Sequence, residues 1–251
     1  MLSNTTGTRN VAIGNEALET NTTGNYNTAT GYKALETNNA NNGTALGYTA
    51  LQDNTTGANN VGLGYRSLLN NTTADQNTAV GADSMYTNTT GEYNVSIGYM
   101  TLYTNNASNN TAVGYQALLL NTTGASNTAV GALALDTLTT GSSNVAVGSE
   151  ALYECTTGGQ NTAVGTKALQ TITTVSNQTA IGYKALKVNT TGSSNVALGH
   201  KALRDNTSDL NTAVGRVVLY QNTTGSRNIA IGNGTLDAPD TAVSYTHLRA
   251  H

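Results

Sequence analysis

The sequence predicts an all-β chain wound as a parallel β-solenoid of about fourteen rungs, each of 16–17 residues and carrying two short strands. Three observations predict it. A glycine preceded in nearly every copy by Val, Ile or Leu recurs from Gly14 through Gly31, Gly47 and Gly64 to Gly232, at intervals of 17 residues ten times and 16 residues three times. Each copy carries two turn signals, which leaves room for strands of roughly 4–6 residues and none for a pair of helices. The composition favours strands and turns over helices: 45 Thr and 34 Asn stand beside 27 Gly, with no Trp, no Phe and one Pro.

Each column of the repeat has a role to match. Four residues before the glycine stands Asn in twelve copies, from Asn10 to Asn228, with Gly43 and Gln178 the exceptions. Val, Ile or Thr follows (Val11, Thr28, Val61), then a small residue in all copies (Ala12, Ala29, Gly62, Ser96), then most often Val, Ile or Leu (Ile13, Val80). That is period-2 alternation closed by glycine, hence a strand and a turn. Four residues after the glycine comes Leu in thirteen copies, Leu18 through Leu236, with Met85 the substitute. Asn-Thr-Thr-Gly then forms the second turn, since Asn and Gly tolerate left-handed backbone. The three short copies are expected to lose the glycine of that turn, as at Asn105-Asn106-Ala107 beside Asn121-Thr122-Thr123-Gly124.

One rung cannot stand alone. Burying its two β-branched residues and its leucine returns about 5–9 kcal/mol, against roughly 17–34 kcal/mol for ordering seventeen backbone units. Stability is therefore expected from stacking on neighbours. The expected core contains Leu18 and Leu118, and a column in which Leu138, Cys155 and Ile172 replace the turn asparagine. Those replacements also imply that the turn asparagines (Asn21, Asn54, Asn88, Asn121, Asn189, Asn222) point inward. The column kept small in every copy implies close packing, against a neighbouring subunit or against the far wall of a flat coil.

Charge and motif content exclude several functions. Net charge is -3 and pI near 5.5, which argues against nucleic acid. Apolar runs are too short to span a membrane, and Met1-Leu2-Ser3 opens no signal peptide. A single cysteine provides neither a disulfide framework nor a thiolate metal site. His200 takes a position held by Tyr in other copies and facing solvent; no second histidine lies in the repeats, so no nucleophile–base constellation can be assembled. Carboxylates scatter over variable columns (Glu16, Asp83 and Glu150 in one; Asp53, Glu154 and Asp205 in another), which predicts no metal site and no cofactor. Eight Asn-Thr-Thr sequons are accounted for by the turn. The candidate ligand-binding residues are the tyrosines directly after the glycine: Tyr32, Tyr48, Tyr65, Tyr99, Tyr115 and Tyr183.

The unit Asn110-Thr111-Ala112-Val113-Gly114-Tyr115-Gln116-Ala117-Leu118 resembles the head repeats of trimeric autotransporter adhesins (YadA-like), and the related repeats of tail-fibre proteins that end in an intramolecular chaperone. The resemblance covers residues 4 to about 236, and the unit here is longer by the Asn-Thr-Thr-Gly turn. It implies a left-handed β-roll, a homotrimer, a place outside the cell (anchored in the outer membrane through a C-terminal domain beyond this sequence, or on a phage tail), and binding of a surface glycan or protein without catalysis. Other classes fit less well. A left-handed β-helix acyltransferase would repeat its hexapeptide three times per coil, whereas Val113–Leu118 matches it once per rung. An ice-binding solenoid is suggested by the threonines Thr122, Thr139, Thr156, Thr173 and Thr190, and a carbohydrate-binding solenoid is the companion alternative. The repeat domain is assigned to residues 1–236 and the end of the natural sequence to 237–242. Residues 243–251 resemble translated sequencing adapter and are set aside as an artefact tail, so the chain is expected to be a piece of something longer.

Overall fold

The computed structural model describes residues 3–235 and the backbone of a strand at 246–248. It is all-β, without a helix among the described residues, and each rung contributes one three-residue strand to a parallel ladder. Two compact units divide the chain at Ser126. In the first, β1 (Val11–Ile13), β2 (Thr28–Thr30), β3 (Thr44–Leu46), β4 (Val61–Leu63), β5 (Thr78–Val80), β6 (Val95–Ile97) and β7 (Thr111–Val113) pair in chain order. In the second, β8 (Thr128–Val130), β9 (Val145–Val147), β10 (Thr162–Val164), β11 (Thr179–Ile181), β12 (Val196–Leu198), β13 (Thr212–Val214) and β14 (Ile229–Ile231) do the same. Register is strict: Ala163 pairs with Ala146 on one side and Ala180 on the other. A further strand, β15 (Thr246–Leu248), pairs with β14 and sets Thr246 opposite Ile229. Three residues of the tail set aside on sequence grounds thus continue the ladder at the 17-residue offset. Leu236, residues 237–242 and the rest of the tail lie outside the described residues.

The second strand expected in each rung is not there. The leg after the glycine places its second and fourth residues in the left-handed region, as at Glu16 (φ 60°) and Leu18 (φ 47°), and so cannot extend. It is still bonded from rung to rung: Leu18 N donates to Ala34 O (3.1 Å), Thr20 N to Glu36 O (3.0 Å) and Lys33 N to Asn15 O (3.0 Å). A coil therefore consists of a strand leg, a glycine turn, a return leg with alternating left-handed residues, and the Asn-Thr-Thr-Gly corner. Left-handed backbone costs a leucine about 1–2 kcal/mol. Full burial of its side chain, about 1.5–3 kcal/mol, offsets that.

The expectation that the β-branched strand residues fill the interior is overturned. Val11 is 48% and Ile13 60% exposed, while Ala29 between the corresponding residues of β2 is fully buried. Successive strand residues point to opposite faces, and the interior of this narrow coil admits only the small one. The far wall explains its size: a methyl group added to Gly62 would lie 3.2 Å from Leu51 Cγ. The small column therefore packs on the chain's own leucine column, which decides between the two explanations the sequence left open. One polar cluster of the interior is internally paired: Ser84 Oγ, Ser96 Oγ and Thr101 Oγ1 bond one another at 2.7 and 2.5 Å.

Asparagine ladders hold the corners. Asn144 Oδ1 accepts from Asn161 N (3.0 Å), and its Nδ2 donates to Gly158 O (2.9 Å). Gln178 makes the same pair of bonds, to Asn195 N and Gly192 O. The turn asparagines form a second ladder, with Asn71 Nδ2 on Asn54 Oδ1 at 2.7 Å and on Ala74 O at 3.0 Å. The same geometry corrects the account of the short copies. Asn21 donates to Gly24 O three residues on, whereas Asn38 donates to Ala40 O two residues on. Ala40 thus occupies the glycine place, and the residue lost is a threonine.

Candidate functional site

Three surfaces carry side chains that could meet a ligand. The first is the outer face of the strand leg. Its two ranks are the first and third strand residues: Thr, Val or Ile in one; Val, Ile or Leu, with Thr30, in the other. In the second unit the exposed members include Val130, Val145, Ile181, Val196, Leu198, Ile229 and Ile231. Exposed apolar surface of this kind makes the strand face a candidate interaction surface.

The second surface is the tyrosine column of the return leg, on the side chains singled out from the sequence. All six are exposed, and the structure gathers them into separate groups. Tyr32, Tyr48 and Tyr65 form one stack with ring centroids 5.2 and 5.4 Å apart, and Tyr99 stacks on Tyr115 at 5.8 Å. Tyr183, in the second unit, stacks on His200 at 5.3 Å. Stacking turns the ring faces toward one another and leaves hydroxyls and ring edges to solvent. Cations occupy further faces: Lys33 over Tyr32, and Arg66 between Tyr65 (4.8 Å) and Tyr86 (4.9 Å). These columns therefore offer hydrogen bonds rather than open platforms for a sugar ring. The sequence reading missed the parallel pair Tyr86 and Tyr103, stacked at 5.1 Å one column away. Aligning the fifth residue after each glycine reveals it.

The third surface was also missed. Lys167, Lys184 and Lys201 occupy the same column on three successive rungs, with Lys187 and Arg204 on the neighbouring column. Hydrogen bonding to the Lys184 ammonium, followed by the fields of Lys184, Lys201 and Lys167, lowers the Tyr183 hydroxyl from its ordinary pKa.

The remaining candidates are structural. Leu18, Leu118, Leu138, Cys155 and Ile172 are fully buried. Burial pushes the Cys155 thiol up to about 11, only partly countered by its contact with Gly158 O. Asn21, Asn54, Asn71, Asn88, Asn121, Asn189 and Asn222 of the sequons are buried, with their amides committed to the turn. The carboxylates of Glu16, Glu19 and Glu36 approach one another closely enough to share a cation. Lys33 takes that place, 3.1 Å from Glu16 and 3.0 Å from Glu36. The turn threonines use their hydroxyls on the backbone, Thr139 Oγ1 donating to Thr156 O (3.0 Å) and Thr156 Oγ1 to Thr173 O (3.1 Å). No helix among the described residues is long and apolar enough to cross a membrane.

Comparison with family models, with curated proteins and with solved structures returns no match to this chain.

Proposed function

We propose that this chain is the repeat segment of an extracellular fibre or adhesin, carried on a cell surface or a phage tail, that trimerises through the strand face and binds through the return leg without catalysis. The outward apolar ranks carry this reading. A parallel sheet is ordinarily covered on both faces, and here only the inner face is covered by the chain's own leucines. A second and third copy supply the missing cover at no cost to the return leg, which is the more polar side. The number three is taken from the resemblance of Asn110–Leu118 to the repeats of trimeric adhesins.

Sedimentation equilibrium of the full chain tests this. The expected particle has three times the 25.8 kDa chain mass, and the pair Val145→Lys with Val147→Lys, which sets two charges on the strand face of one rung, shifts it toward monomer. A wild-type monomer at micromolar concentration would falsify the trimer.

One observation favours a second reading. Among β1–β14 the first outward rank carries Thr on eight strands, β2, β3, β5 and β7 among them, so a face of regularly spaced hydroxyls and methyls is available to ice. Thermal hysteresis in the purified chain would select that reading; an adhesin shows none.

A further inference from the structure

We infer that the return leg of the second unit is a binding strip for a linear acidic polysaccharide, gripped by Lys167, Lys184 and Lys201 with Lys187, Arg204 and Arg216 beside them. The chain has eleven Lys and Arg, and six fall on the return legs of these four rungs. No acidic residue occurs between Glu154 and Asp205. Among the described residues acids reach only two of the six cations: Glu150 lies 3.6 Å from Lys167, and Asp205 lies 3.4 Å from Arg204. Among the described residues Lys184, Lys187, Lys201 and Arg216 have no ion-pair partner. Like charges held one rung apart, roughly 4.8 Å, repel one another. A fixed column of that kind is matched by a chain of anions at a similar repeat.

The surroundings say which polyanion. The lysine column spans two rung intervals, roughly 10 Å, with the other cations close beside it, too narrow a strip for a duplex. Tyr183 and His200, stacked in the adjoining column, present ring edges and a hydroxyl along the same line. Hydroxyls beside fixed ammonium groups suit a sugar chain bearing carboxylate or sulfate. The inference rests on the reading that the strand face, and not this leg, meets other subunits.

Calorimetric titration of the full chain at low ionic strength tests it, with heparin-derived oligosaccharides as the sulfated probe and oligogalacturonates as the carboxylated one. Binding to one or both is expected. The double variant Lys184→Gln with Lys201→Gln should bind about tenfold more weakly or worse, and its salt slope should fall by roughly 0.7–0.9 for each lysine removed. Glutamine is compatible with this backbone, because Gln116 holds the same column at φ 53°. Arg66→Gln, in the same column of the first unit, should leave affinity unchanged. Absence of binding to both probes, equal loss in Arg66→Gln, or tighter binding of single-stranded DNA than of either glycan overturns the inference. Sedimentation of the same samples separates the two proposals: a trimer that ignores both probes contradicts only this one, and a monomer that binds contradicts only the subunit reading.

Discussion

Leucine in left-handed backbone is the least expected feature at the scale of single residues. Leu35 (φ 50°), Leu51 (φ 53°) and Leu68 (φ 50°) repeat it rung after rung, and each is fully buried. The turn glycine meets a different demand. At Gly81 φ is +130°, and an added methyl group would lie 2.3 Å from Gly98 O. Gly81→Ala should therefore cost at least about 1–3 kcal/mol, read as a lowered urea midpoint. Cys155 supplies a pH signature. Its thiol titrates near 9.0 when unfolded and at about 11 in the coil, so the unfolded chain loses the proton first as pH rises. Stability is intact below pH 9 and falls between 9 and 11, by about 2–3 kcal/mol at 1.36 kcal/mol per pKa unit. Cys155→Val should remove that component. Thiol labelling at neutral pH should be slow in the native chain and complete in denaturant.

Within a rung, hydrogen bonding and burial divide the work between the legs. The strand leg supplies the regular ladder, and the corner asparagines join one rung to the next. Asn144→Ala leaves Asn161 N and Gly158 O without these partners in a buried corner, at roughly 1–3 kcal/mol each. Asn144→Gln should recover most of that loss, since Gln178 already serves the same role; chemical denaturation of the two variants makes the comparison. The period, the small column and the leucine column were legible because each is a fixed residue at a fixed offset. The corner ladder was legible through its exceptions, Leu138, Cys155 and Ile172. The return leg was misread because backbone handedness leaves no pattern when Glu16, Lys33 and Thr49 share one conformation. The direction of the strand faces was misread because alternation of Val with Ala says that the faces differ, not which one is inside.

Across the whole chain, net charge concealed the most informative surface. The balance of -3 argues against polyanions, yet it averages an acidic first unit with a second whose lysines share columns. Only folding the sequence onto its 16–17-residue period brings Lys167, Lys184 and Lys201 together. The strand face was hidden for a related reason: the same valines that read as core in a linear pattern stand outside a coil too narrow to hold them. With Val145 outward and 37% exposed in the single chain, the subunit reading turns on what covers it. A nitroxide on Val145→Cys in the Cys155→Val background, compared with one on Thr166→Cys of the return leg, tests that most directly. Immobilisation, exclusion from water and strong inter-subunit dipolar coupling at 145, with a mobile and hydrated label at 166, are the predicted result. A mobile, water-accessible, uncoupled label at 145 would contradict the account.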